Sequence, residues 1–194
     1  MKTFCIGILG AFILGQAASA SIITYDAALS GPNEAPPNAS PGVGFAIVTI
    51  DTVAQTMEVN VTFSGLLGTT SASHIHCCTP TAGTGTAIVA TQVPTFAGFP
   101  LGVTSGSYDQ TFDITLDAFY NPAFEAASGG TAAFAEATLL AGIAADDAYL
   151  NIHTSAVPGG EIRGFLVQAT PEPATFLMAG AALAGLAMVR RRRA

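Results

Sequence analysis

The chain has 194 residues, half of them apolar, and carries only six Lys and Arg against thirteen Asp and Glu, for a formal charge of -7. That length accommodates one domain with a sizeable core. Its acidic balance argues against nucleic acid as a partner.

The first twenty residues form a separate unit. Met1-Lys2 is a short basic start, "FCIGILGAFILG" is an apolar run too short to span a membrane comfortably, and "QAASA" ends on the small residues Ala18 and Ala20. This order predicts a secretory signal peptide over residues 1–20, an apolar helix removed by cleavage after Ala20, with the secretion translocase as its partner. Cys5 leaves with it, so Cys77 and Cys78 are the thiols that reach an oxidising compartment.

Residues 21–169 form the domain. Twelve acids lie there against Arg163 as the single basic side chain, a formal charge of -11. The acids are scattered, which predicts a solvated face rather than a calcium site. "GVGFAIVTI" (42–50) reads as a strand, and "TMEVNVTF" (56–63) alternates strictly, with Met57, Val59, Val61 and Phe63 on one face. "TAIVAT" (86–91), "TFDITLD" (111–117), "AYLNIHT" (148–154) and "EIRGFLV" (161–167) read as further strands, with turns at "SGLLGTT", "TPTAGTG" and "AVPGG". One short helix is predicted at Gly130 to Ile143 from its Ala, Leu and Glu content. Many short strands with regular turns predict an all-β, antiparallel sandwich or barrel.

"HIHCC" (74–78) concentrates the metal-binding side chains. On a strand His74 and His76 point to one face about 6 to 7 Å apart while Ile75 points away. His153 in "YLNIHT" shares its face with Tyr149 and Asn151, and pairing of the two strands would bring all three histidines together. Two readings stand: a zinc or copper site, with Cys77 or Glu161 as a fourth ligand, or histidines that hydrogen-bond across the sheet, His153 with Glu161 among them. The thiols of Cys77 and Cys78 have three: a vicinal disulfide, separate or intermolecular thiols, or metal ligation. Adjacent trans residues sit closer than the usual disulfide span of roughly 4.4 to 6.8 Å, a conflict that a turn at Cys78 would relieve.

In "PGGEIRG" the lone cation Arg163 stands two residues from Glu161, and an ion pair between them is expected, with an anion clamp as the alternative. No G-x-S-x-G, phosphate loop or H-E-x-x-H occurs, so no enzymatic activity is expected.

Residues 170–194 again form a separate unit: Pro171, Glu172 and Pro173, then an apolar run over 174–189, then Arg190, Arg191, Arg192 and Arg193. As a helix the run measures roughly 24 Å against a hydrocarbon core of about 30 Å, a marginal transmembrane span. The arginines hold its end in the cytoplasm and leave the domain outside.

This tail closely resembles the PEP-CTERM sorting signal of Gram-negative bacteria. The resemblance implies an exosortase as partner, transient anchoring in the inner membrane, cutting near the Pro-Glu-Pro, and delivery to the outer surface or extracellular matrix. Within the domain, "LSGPNEAPP" (29–37), "GVGFAIVTID" (42–51), "VTFSGLLG" (61–68), "ASHIHC" (72–77) and "YLNIHTSAVPGGEIRGFL" (149–166) together resemble the CHRD domain. That resemblance implies an immunoglobulin-like β fold in a secreted protein. The pair Cys77-Cys78 departs from the small residues usual there. The expected function is a non-enzymatic cell-surface or matrix component that binds polysaccharide or surface protein and needs no cofactor. The alternative is a zinc- or copper-binding or redox domain built on the three histidines.

Overall fold

The computed structural model describes residues 22–169. The expected signal helix and transmembrane helix lie outside the described residues, among which no helix is long and apolar enough to cross a membrane. The chain runs β1 (Ile22–Ser30), β2 (Val43–Asp51), β3 (Thr56–Ser64), β4 (Thr70–His76), β5 (Gly106–Asp113), α1 (Pro122–Ser128), α2 (Ala132–Ala144), β6 (Tyr149–Thr154), β7 (Ile162–Phe165) and β8 (Val167–Gln168). The architecture is mostly β and antiparallel, as the turn-punctuated alternation predicts.

The strands form one curled sheet in the order β4-β6-β7-β1-β2-β3-β5, with β8 added to β1. The alternation in β3 works as read: Met57, Val59, Val61 and Phe63 are buried, facing Ala46, Val48 and Ile50 of β2 in the core. The β2–β3 turn forms because the Asp51 carboxylate accepts from the backbone N–H of Val53 and Ala54, so the chain reverses without orphaned donors.

The edge strands β4 and β5 do not pair with each other. The long connection between them closes the gap instead, with the Phe96 N–H donating to Ser73 O and the Thr70 N–H to Val103 O. Its aromatic side chains fill the opening, with Phe96 stacked on Phe112 at 5.5 Å and Phe99 on Phe63 at 5.6 Å between ring centroids. Unpaired edges are thereby covered.

Three expected elements differ. "TAIVAT" makes only single bridges, His76 to Val89 and Thr91 to Tyr120, because it lies as a strap along the edge of β4. "TFDITLD" forms a strand earlier in the chain than expected, since Tyr108 and Phe112 are the buried members of β5. Among the described residues there are two α-helices rather than one. The extra helix α1 starts at Asn121, whose side chain accepts from the Ala123 N–H, with Pro122 in the first turn.

Glu161 closes the domain where β6 turns towards β7. Its buried carboxylate accepts from Ser40 Oγ at 2.6 Å, Thr154 Oγ1 at 2.6 Å, Leu67 N at 2.6 Å and Gly68 N at 3.1 Å. Three separate segments are thus pinned to one anion. Burial alone would raise its pKa, but the four donors outweigh burial and hold it below the ordinary carboxylate value. A folded-state pKa below the unfolded one contributes stability above the ordinary carboxylate range, lost as pH falls through the depressed value. Glu161→Gln leaves donors facing an amide, and urea unfolding at pH 7 is expected to show a loss of about 3 kcal/mol that shrinks in acid.

Candidate metal centre

The strands β4 and β6 pair antiparallel with Ala72 opposite His153, His74 opposite Asn151 and His76 opposite Tyr149. Alternation then sends Ile75, Leu150 and Ile152 into the core, where all three are fully buried. His74 and His76 are left on the outer face, with His153 diagonal to His74, close enough for their rings to meet. The ring centroids of His74 and His153 are 4.8 Å apart, and those of His76 lie 5.3 Å from His74 and 5.8 Å from His153.

The inward nitrogens on this outer face are buried, although His153 itself is only partly buried. The strap after β4 and the turn after β6 fold over the face, the strap contributing two carbonyls and the turn one, each fixing one imidazole. His74 Nε2 reaches Pro94 O at 3.1 Å, His76 Nδ1 reaches Ala87 O at 2.9 Å, and His153 Nδ1 reaches Pro158 O at 2.9 Å. A carbonyl only accepts, so each of these nitrogens carries the proton and donates. The other nitrogen of each neutral ring is then a bare lone pair.

Those three lone-pair atoms, His74 Nδ1, His76 Nε2 and His153 Nε2, are buried without a hydrogen-bond partner. Each of the three rings offers one nitrogen within 4.8 Å of those of the other two. A buried acceptor left without a donor costs about 1–3 kcal/mol, and three aimed at one space are costly unless something fills it. An ion with metal–nitrogen bonds of about 2.1 Å needs nitrogens no more than about 4.2 Å apart. Metal binding would therefore have to draw the rings together by side-chain rotation. Imidazoles whose second nitrogen donates to a carbonyl are oriented as metal-ligating histidines usually are.

Burial is the first cause of the lowered basicity of these rings. It pushes His74 down to about 3, helped by the neighbouring His153 and His76, and His76 down to about 4 against its bond to Ala87. His153 is lowered too, again by burial. The site is therefore in its lone-pair form at neutral pH.

A second layer stands beside the histidines. Tyr149 stacks on His76 with centroids 4.8 Å apart and planes 8° from parallel, and the buried guanidinium of Arg163 lies 4.5 Å from the Tyr149 ring centre. Ala87 joins the two layers, because its N–H donates to Tyr149 Oη while its carbonyl holds His76. Arg163 also donates to the carbonyls of Asn33 and Gly85. Glu34 Oε2 lies 3.8 Å from Arg163 Nε, and burial, partly opposed by Arg163, raises its pKa to about 7.

The three histidines therefore meet as the spacing suggested, the cysteines follow one of their three readings, and other neighbours differ from expectation. Cys77 and Cys78 form a vicinal disulfide, with Cys77 turned into the core, so neither sulfur is a free ligand. The pair packs against α2 at Gly142, where an added Cβ would collide with both sulfurs. Glu161 is no fourth ligand, since both its oxygens are taken by the four donors named above. For the same reason it pairs with neither His153, which bonds Pro158, nor Arg163, which faces Glu34. The sequence reading missed Glu34, Ala87 and Pro94. A carbonyl carries no residue signature, but Glu34, an acid in the Pro-rich turn "GPNEAPP", was visible. The sorting residues Pro171 to Pro173 and Arg190 to Arg193 lie outside the described residues.

A model of the CHRD domain matches residues 25–166, and one of the PEP-CTERM protein-sorting motif matches residues 169–193. No curated protein and no solved structure matches the chain. The first match takes in most of β1, the strands β2 to β7, both helices and all three histidines, and the second spans the whole tripartite tail. The chain belongs to the CHRD domain family, and it is an exported protein that an exosortase sorts through its C-terminal PEP-CTERM motif.

Proposed function

We propose that this CHRD domain is a non-enzymatic binding module for zinc or copper, displayed at the outer surface or in the extracellular matrix of a Gram-negative bacterium. The observation that carries the reading is the convergence of three buried, unpartnered imidazole nitrogens. Binding is favoured over turnover because the second nitrogen of every ring is committed to a carbonyl, leaving no imidazole free to move a proton. A different observation supports binding of polysaccharide or surface protein as well: Val43, Phe45 and Ile47 form an exposed apolar row on the outer face of β2.

Elemental analysis of the exported protein is expected to find about one zinc or copper per chain, lost in a His74→Ala/His76→Ala/His153→Ala variant that still folds. Metal-free protein that stays so after dialysis against either ion would overturn the reading.

The lowered histidine pKa values also predict an acid limit for the metal-free protein. Unfolded histidines titrate near 6.5, so below that value the unfolded chain binds protons that the folded rings refuse. Stability is expected to fall as pH drops from about 6.5 towards the folded values of about 4 for His76 and about 3 for His74. In the triple variant, chemical denaturation over the same range should lose that slope.

Surface display has its own test. Removal of Pro171 to Ala194 should release the domain unanchored into the periplasm or medium, read by fractionation and immunoblotting. Unchanged surface retention would take the sorting role away from the tail.

A further inference from the structure

The identity of the ion follows from charge, if the metal reading holds, on which this inference rests. The ligand set is three neutral imidazoles, and among the described residues no carboxylate or thiolate joins them. Glu161 is taken by its four donors, Cys77 and Cys78 by each other, and Glu34 faces Arg163. The charged group stacked against the site is a cation, Arg163, which reaches His76 through the Tyr149 ring.

The cost of moving an ion from water into a low-dielectric interior grows with the square of its charge. A divalent ion here would meet about four times the desolvation of a monovalent one with no anionic ligand in compensation, and whatever field Arg163 keeps beside its partner Glu34 would act on it twice as strongly. The exposed carboxylates of the domain do not supply that compensation, because water and salt screen them, and the buried Glu34 and Glu161 are held by Arg163 and by the four donors. Closed zinc sites take four ligands, and three-histidine ones hold a water in the fourth position. The three lone-pair atoms here are shut off from solvent. A filled d shell without geometric demand accepts three ligands in a plane, and monovalent copper offers that with half the charge of zinc. We infer that the site selects monovalent copper, held by His74 Nδ1, His76 Nε2 and His153 Nε2 as a three-coordinate ion beside the buried guanidinium of Arg163.

The test uses the exported protein purified with its disulfide intact. Copper is supplied as Cu(II), either alone or with ascorbate, which gives up the electron that makes Cu(I). Competition against chelators specific for each state, and against a zinc indicator, gives three affinities. The expected result is one Cu(I) per chain, held at least about 100-fold more tightly than Cu(II), which at 59 mV per tenfold places the bound couple about 120 mV above the aqueous one. X-ray absorption should find three nitrogen neighbours and no fourth ligand. A Glu34→Gln/Arg163→Met variant, which removes the cation and its partner together, should narrow the Cu(I) preference.

Zinc or Cu(II) bound as tightly as Cu(I), and lost in the triple histidine variant, would overturn the monovalent assignment while leaving the metal centre standing. An unchanged preference in a folded Glu34→Gln/Arg163→Met variant would overturn its electrostatic basis. Failure to bind any of the three ions would overturn the metal centre itself.

Discussion

The pairing of β4 with β6 is the constraint on which the rest depends. It sets His74 opposite Asn151 and His76 opposite Tyr149, and because side chains alternate along a strand, the same register sends Ile75, Leu150 and Ile152 to the core. A slip by one residue would put imidazoles among aliphatic side chains and isoleucine beneath the strap. Hydrophobic burial on one face therefore enforces polar convergence on the other. The site needs no separate folding energy to assemble its histidines, only to cover them.

Covering them creates the second demand. Groups on the outside of a sheet normally meet water, yet the strap and the turn after β6 exclude it from the inward nitrogens on this face. Every buried polar group must then find a partner within the protein. The carbonyls of Ala87, Pro94 and Pro158 answer for one nitrogen of each ring, those of Asn33 and Gly85 for the guanidinium, and Glu161 gathers the donors of three segments. Among the described residues five side-chain atoms are the exceptions: Glu34 Oε1, Asn151 Oδ1 and the three inward nitrogens of the histidines. Three of the five belong to histidines that lie together, each offering a ring nitrogen within 4.8 Å of the others.

Much of the architecture was legible because burial imprints itself on spacing. The alternation in β3 named its buried members, and the antiparallel class followed from short strands and turns. The errors have a common cause. "TAIVAT" has the composition of a strand but runs along an edge where its backbone bonds only intermittently, and composition does not record where a segment lies. The short helix α1 was signalled by Asn121-Pro122, whose capping and first-turn preferences are local. In the site, His74, His76 and His153 could be named from strand periodicity. Their fixing partners could not, because backbone carbonyls are common to every residue, and the assignment of Arg163 to Glu34 depends on which loop folds over it.

By itself the sequence determined the tripartite tail, the antiparallel strand class, the acidic surface and the identity of the candidate ligands, since each is written in local order or in a period of two. Only the tertiary structure decided that the three histidines lie together, that Glu161 is a structural anchor and not a ligand, that Cys77 joins Cys78, and that a cation stands behind the site. Those outcomes turn on contacts between segments as far apart as Asn33 and Arg163. Such contacts are selected by the packing of the whole chain, and no short stretch of it contains them.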